Sequence, residues 1–437
     1  MKKLKFICLL VVLLSSLVKS FPEQSPRAEI LADDFSTRAF SHIIHLARMG
    51  HRQVGTKNDK LGAQYIKDQF KNMNIDVEIQ PFEFESFEYT KVSFEVGDKQ
   101  ITVVGLGFNP YKSKRIYEGT ALPIDLNDSE IHFTQEKIEG KTIIANNWND
   151  HFRLLRYKPE LVIYIDPVEF EKLKSHGELN FKLNVEGEYK KYGSANIIGK
   201  VGNNGSSLKE ILITAHFDTY RKNNPGASDN ASGVSVVLEL ARYFKKIEDK
   251  LNCIVKFVCF GAEEIGIMGS RNYLYNNANS LKQCELLFNI DDVGGNGPVL
   301  VEMSGGSSGI PETKCESQIP ENLRFYSWEG VNSKWRMLAD EDLMKVMTAS
   351  NHPQWLVDIV NKSIKDLGYR VEPTGTQGSD QLTFAQAGIV TSGVGIISEH
   401  SHTPQDVPEN INKKSLKIAG EIAVHVVLNT LKRFKEK

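Results

Sequence analysis

From residue 192 onward, short apolar runs alternate with amphipathic helical patterns, and this alternation constrains the fold more than any other feature of the chain. The stretches "ANIIGKV", "EILITAHF", "CIVKFVCF", "ELLFNID" and "IVTSGVGI" read as strands. Between them, "ASGVSVVLELARYFKKI" sets Val234, Val237, Leu238, Ala241 and Phe244 on one helical face. "PQWLVDIVNKSIKDLG" is another helix, and a long one closes the chain after Pro408. Strands that alternate with helices call for a sheet flanked by helices, an α/β fold.

Two further helices precede this region. "FSTRAFSHIIHLARMG" aligns Phe40, Ile43, Ile44 and Ala47, and "DKLGAQYIKDQFKNMN" aligns Leu61, Tyr65, Ile66, Phe70 and Met73. "IDVEIQPFEF" then alternates as a strand does. Between residues 88 and 190 the character changes to short strand-like pieces, "VSFEV", "ITVVG", "KTIIAN" and "LVIYID", with a helix near "PVEFEKLKSHG". We expect one domain built from residues 36–87 and 191–437, carrying 88–190 as an inserted β-rich module. The segment from Met303 to Ser350 has weak periodicity, and a stretch that long is a lid, a binding loop or disordered.

With 437 residues, 41% of them hydrophobic and 25% charged, the chain can bury a large core. A net charge of -2 leaves no basic field for nucleic acid or an acidic membrane. The N-terminus "MKKLKFICLLVVLLSSLVKS" has three lysines, an apolar run from Phe6 to Leu14, and small residues before Phe21. That run is too short to span a bilayer comfortably, so residues 1–20 are expected to be a cleaved signal peptide. The mature protein would then be secreted or periplasmic, without stable membrane insertion. Of the remaining cysteines, Cys253 and Cys259 share one strand and cannot bridge each other. A Cys284–Cys315 bridge is open, and four cysteines in so long a chain are neither a disulfide scaffold nor a zinc ribbon.

Five places carry metal-type ligands, all at predicted strand ends. In "ILITAHFDTY", His216 and Asp218 stand two apart and point to one face, so the carboxylate can receive the ring N–H of a metal-bound histidine. Asp229 lies in the Gly- and Ser-rich turn of "PGASDNASG", where an N-cap is the plainer reading. In "FVCFGAEEIGIMGS" the adjacent acids Glu263 and Glu264 suit a division of labour, one binding metal and one reaching its water. "LFNIDDVGG" offers Asp291, which emerges first at the strand mouth, and Asp292, which can face a neighbouring loop. "SEHSHTPQD" adds His400 and His402 after the last strand. Singly, each has a structural explanation: a core histidine, a cap, solvated acids, a turn. Together they put nitrogen and oxygen ligands at the ends of one sheet, where open α/β sheets bind ligands. Histidine and carboxylate without thiolate suit catalytic zinc.

The order H-x-D, G-A-S-D-N-A-S-G, G-A-E-E-x-G, N-I-D, H-T-P resembles the family 28 metallopeptidases, the two-zinc aminopeptidases and their relatives. The likeness extends over whole segments, roughly residues 36–85 and 192–432. The intervening module is weakly similar to a protease-associated insert, through "IEGKTIIANN" and "LVIYID". The resemblance implies a three-layer α/β/α fold with a mixed, mostly parallel central sheet. It implies two zinc ions per chain: His216 and Asp291 on one, Glu264 and His402 on the other, Asp229 between them. Glu263 would be the general base, an assignment the residues alone leave open between the two glutamates, and Asp218 would buttress His216. The implied reaction is removal of N-terminal residues from peptide substrates by water. Carboxypeptidase or dipeptidase action, a glutaminyl-cyclase-like acyl transfer and a non-catalytic binding module are the alternatives. Two positions depart from the family pattern: Ser401 stands where an oxyanion-stabilising aromatic is frequent, and Gln381 stands where histidine commonly follows the late Ser-Asp pair.

Overall fold

The computed structural model describes residues 31–107, 114–125, 134–146, 154, 159–202, 209–220, 223–303, 335–336, 352–375 and 378–433. The expected signal segment lies outside these residues. So do Cys315 and all of the Met303–Ser350 segment except Met303, Trp335 and Arg336.

Helices α1 (Phe35–Arg48) and α2 (Lys57–Asn72) come first. Helix α2 starts on a reciprocal cap: the Thr56 hydroxyl accepts the Asp59 amide at 3.2 Å, and the Asp59 carboxylate accepts the Gly55 amide at 3.0 Å. There follow β1 (Asp76–Val96), β2 (Lys99–Ile101), β3 (Val103–Gly107), β4 (Lys114–Ile124), α3 (Gln135–Ile138), β5 (Thr142–Ala145), β6 (Leu161–Ile165), α4 (Pro167–Leu173) and β7 (Leu179–Gly202). The remainder runs β8 (Glu210–His216), α5 (Gly233–Lys246), β9 (Ile254–Phe260), α6 (Met268–Asn276), β10 (Cys284–Ile290) and β11 (Leu300–Glu302). It continues with β12 (Trp335–Arg336), α7 (Gln354–Leu367), β13 (Glu372–Thr374), α8 (Gln381–Gln386), β14 (Thr391–Gly395) and α9 (Lys413–Arg433).

The main sheet has the order β13-β11-β14-β10-β8-β9-β7, with β1 beyond β7. Its four central strands, β14, β10, β8 and β9, are parallel, while β11 runs against β14 and β7 against β9. Strand alternation divides the core cleanly. Ile211, Ile213 and Ala215 of β8 share one face with Val255, Phe257 and Cys259 of β9, and pack on α1, α5, α7 and α9. Leu212, Val258, Phe260 and Leu287 face the other way, against Tyr273 and Leu274 of α6 and Phe384 of α8. The result is the expected three-layer α/β/α arrangement with a mixed, mostly parallel centre. All five α5 residues set on one face by the sequence are buried.

One expectation changes. The sequence breaks residues 75–96 into two strands separated by a polar stretch, but β1 is continuous. It pairs antiparallel with β7 from Asp76↔Lys200 to Val96↔Phe181, with one register shift between Tyr89 and Lys91. Backbone hydrogen bonding carries the strand across the polar stretch, and no side-chain pattern records it. This ribbon leads from the main sheet to a second hydrophobic core, where Phe94, Leu161, Ile163, Phe170, Phe181 and Leu183 pack together. No helix among the described residues is long and apolar enough to cross a membrane.

Candidate metal centre

Four neighbouring parallel strands deliver their C-terminal ends to one place. Strand β8 ends on His216 itself, β10 ends one residue before Asp291, and β9 ends at Phe260, three residues before Glu263. The segment after β14 brings His402. Because β9 lies on one side of β8 and β10 on the other, the chain leaves β8 at a switch point, where α/β sheets open a crevice. Asp229 comes from the loop between β8 and α5. It is not the helix cap: that position belongs to Ser232. Ala262, Asp292 and His402 all have positive φ (59°, 46° and 63°), a backbone state that non-glycine residues seldom adopt and that gathers at functional sites.

The side chains form two trios that share Asp229. On one side, His216 Nε2 is 3.2 Å from Asp229 Oδ1 and 3.2 Å from Asp291 Oδ1. On the other, His402 Nε2 is 2.9 Å from Asp229 Oδ2 and 3.4 Å from Glu264 Oε2. Thus each oxygen of one carboxylate faces a different histidine. His216, Asp229 and Glu264 each offer a donor atom within 4.8 Å of the others. Asp218 Oδ1 lies 3.5 Å from His216 Nδ1, and the same carboxylate accepts the backbone amides of Glu263 (3.0 Å) and Glu264 (3.2 Å). It therefore fixes the turn that carries both glutamates.

Charge is crowded here. Burial pushes the Glu264 carboxyl up to about 7, with Asp229 adding repulsion. Burial also raises Glu263 well above the usual carboxylate range; His216 opposes this and Glu264 adds to it. Burial would raise Asp229 too, but the bonds from His216 and His402 hold it below the usual range. Burial alone would lower His402, yet Asp229 and Glu264 carry it up to about 11. The Glu264 Oε1 atom is buried without a hydrogen-bond partner. Three acids, two imidazoles, no thiolate among the two trios and an orphaned buried oxygen fit a pair of divalent cations of the zinc type.

Several supporting residues went unassigned in the sequence. Asp406, inside the quoted "SEHSHTPQD", accepts the amides of Ser228 (2.7 Å) and Asp229 (3.0 Å), and so grips the Asp229 loop. Arg52 is fully buried. Its guanidinium donates to the carbonyls of Phe217 (2.8 Å), Leu46 (3.1 Å), Pro225 (2.7 Å) and Gly226 (2.9 Å), bolting the end of β8 to the same loop. Asp292 turns away from the trios. It accepts the Ser401 hydroxyl at 2.6 Å and the hydroxyl of Ser228, joining the Asp229 and His402 loops. That contact occupies Ser401, the position of the missing aromatic. Gln381 donates to Glu302 at 2.6 Å and accepts from Asn289 at 2.7 Å, filling the histidine's place with a core network. The His400 ring approaches Glu399 at 3.7 Å, and its backbone amide donates to the Ser398 hydroxyl at 3.2 Å. Roles exercised through the backbone leave no pattern in residue type or spacing, which is why Arg52 and Asp406 were not singled out.

The fold is of the α/β/α exopeptidase type, with a carboxylate–imidazole cluster at its strand ends that could hold metal. Comparison with known proteins narrows this. The profile described as peptidase family M28 matches residues 196–317. A probable lipoprotein aminopeptidase, LpqL of Mycobacterium tuberculosis, is 30% identical over 344 residues, covering 69% of this chain and 67% of the relative. Aminopeptidase YwaD of Bacillus subtilis is 25% identical over 437 aligned positions, covering 91% of this chain and 85% of that protein. Among solved structures, an aminopeptidase from Aneurinibacillus sp. strain AM-1 superposes with a TM-score of 0.61 at 20% identity, covering 91% of this chain and 95% of the other. The chain belongs to peptidase family M28.

Proposed function

We propose that the protein is an exported zinc aminopeptidase that hydrolyses N-terminal residues from peptides, with Glu263 as general base. The observation that carries this reading is the sharing of Asp229 between two trios, with Glu263 next to Glu264 on one turn. His216 and Asp291 would hold one zinc, Glu264 and His402 the other, and Asp229 both. Bound there, zinc supplies Lewis acidity to the scissile carbonyl and lowers the pKa of the attacking water toward neutrality. Glu263, its amide anchored on Asp218, takes a proton from that water at its carboxylate. Burial raises its basicity above that of an ordinary carboxylate, which suits a group that must both take the proton and return it to the leaving amine. The aminopeptidase names of the YwaD and LpqL relatives support action at the N-terminus. Export rests on the basic and apolar N-terminal sequence.

The test is an assay of the protein lacking residues 1–20 on aminoacyl-nitroanilides and on N-blocked peptides, with and without chelator. The expected result is chelator-sensitive release from free N-termini alone. Equal cleavage of N-blocked peptides would contradict the aminopeptidase reading, and activity indifferent to chelator would contradict the metal.

A further inference from the structure

The two histidines of the centre are held by different means. His216 is held by burial, with its second ring nitrogen 3.5 Å from Asp218 and without a hydrogen-bond partner among the described residues. The His402 side chain is 47% exposed and leaves a loop residue with φ of 63°. Among the described residues its second ring nitrogen makes no hydrogen bond to a carboxylate or carbonyl, the usual way a metal-binding imidazole is oriented. Instead the ring lies nearly flat on Tyr220, with centroids 4.3 Å apart and planes 20° from parallel. Tyr220 itself follows a fixed segment: Thr219 is fully buried, and its hydroxyl accepts the Arg52 amide at 2.9 Å.

We propose that Tyr220 is the positioning residue for His402: its ring face sets the imidazole plane. This rests on the reading of His402 as a metal ligand. An exposed loop histidine rotates about its side-chain bonds unless something fixes it, and each rotation turns Nε2 away from Asp229 and Glu264. A flat aromatic partner removes that freedom through packing, without needing a hydrogen bond. The face of the ring is what acts, so phenylalanine should serve and an aliphatic side chain of similar bulk should not. The chemistry also ties the strand end bearing His216 and Asp218 to the loop bearing His402, so the two halves of the centre share one short segment.

The experiment loads wild type, Tyr220→Phe, Tyr220→Leu and His402→Ala with zinc, dialyses each against graded chelator, and counts zinc per chain by elemental analysis. Metal-free melting curves are recorded in parallel. Tyr220→Leu should surrender one zinc at roughly tenfold lower chelator than wild type, the lower end of the effect of losing a ligand's supporting contact. Tyr220→Phe should follow wild type, and the metal-free melts should coincide. Retention by Tyr220→Leu equal to wild type would overturn the proposal. So would Tyr220→Phe behaving like Tyr220→Leu, since the hydroxyl would then be acting, or a matching fall in the metal-free melt, since the role would then be structural. His402→Ala separates the two levels. If it keeps both zinc ions, the ligand reading fails and the proposal with it; if it loses one while Tyr220→Leu loses none, only the proposal fails.

Discussion

Glu263 and Glu264 follow one another directly, yet their neighbourhoods differ. Both amides are held by Asp218, but the Glu264 side chain reaches His402 at 3.4 Å, whereas the Glu263 side chain makes no such ion pair among the described residues. On this reading Glu263→Gln keeps the metal and loses turnover, with kcat falling by about 10²–10⁴ and zinc content unchanged. Steady-state kinetics with elemental analysis of the same sample check both halves. Away from the centre, Glu239 is buried against Arg38 (2.6 Å), Arg242 (3.1 Å) and His42 (3.2 Å). Burial opposes its ionisation, but these partners hold its pKa at about 2. A depressed carboxylate gives stability that is present above its ordinary pKa and is lost as pH falls through the folded value. Glu239→Gln should therefore destabilise the protein at pH 7 by up to about 3 kcal/mol. The gap to wild type should begin to narrow below about pH 4.5, where the unfolded carboxylate starts to protonate; urea titrations across that range measure it. The convergence of His216, Asp229, Glu264, Asp291 and His402 was legible at this scale because His and Asp/Glu at strand ends carry chemical meaning. Which glutamate is the base was not, since residue type and spacing treat the pair alike.

At the scale of elements, the site depends on how closely α6 approaches the turn after β9. A Cβ placed on Gly269, in the first turn of α6, would sit 2.2 Å from the Gly261 carbonyl oxygen and 2.7 Å from Asn196 Oδ1. Backbone cannot yield there without moving the turn that carries Glu263 and Glu264. Gly269→Ala is expected to cost about 1–3 kcal/mol and to lower activity beyond what lost stability explains. Denaturant midpoints beside kcat at a temperature where both proteins are folded check this, and unchanged values would show that the packing is more compliant than the geometry allows. The helix–strand alternation was readable because burial on one or both faces writes itself into apolar spacing. The continuity of β1 was not, because its ladder to β7 is a backbone property. The same holds for the Asp229 loop, which Arg52 and Asp406 hold through carbonyls and amides.

Across the whole molecule, the β1–β7 ribbon joins the main-sheet core to the core around Phe94 and Ile163, and the candidate metal centre lies at the strand ends of the former. Ile163 is fully buried in the other. Ile163→Ala should cost about 2–5 kcal/mol in the stability of that core while zinc content stays at the wild-type value, as checked by melting and elemental analysis. At the strand ends above the main-sheet core, one carboxylate, Asp229, would serve both halves of a two-ion centre. The direct measurement is zinc per chain in wild type and in Asp229→Ala, Asp291→Ala and Glu264→Ala, each loaded with zinc and freed of excess. The expected result is about two ions in wild type, about one after loss of Asp291 or Glu264, and fewer than one after loss of Asp229. An Asp229→Ala protein that still holds two ions would contradict it.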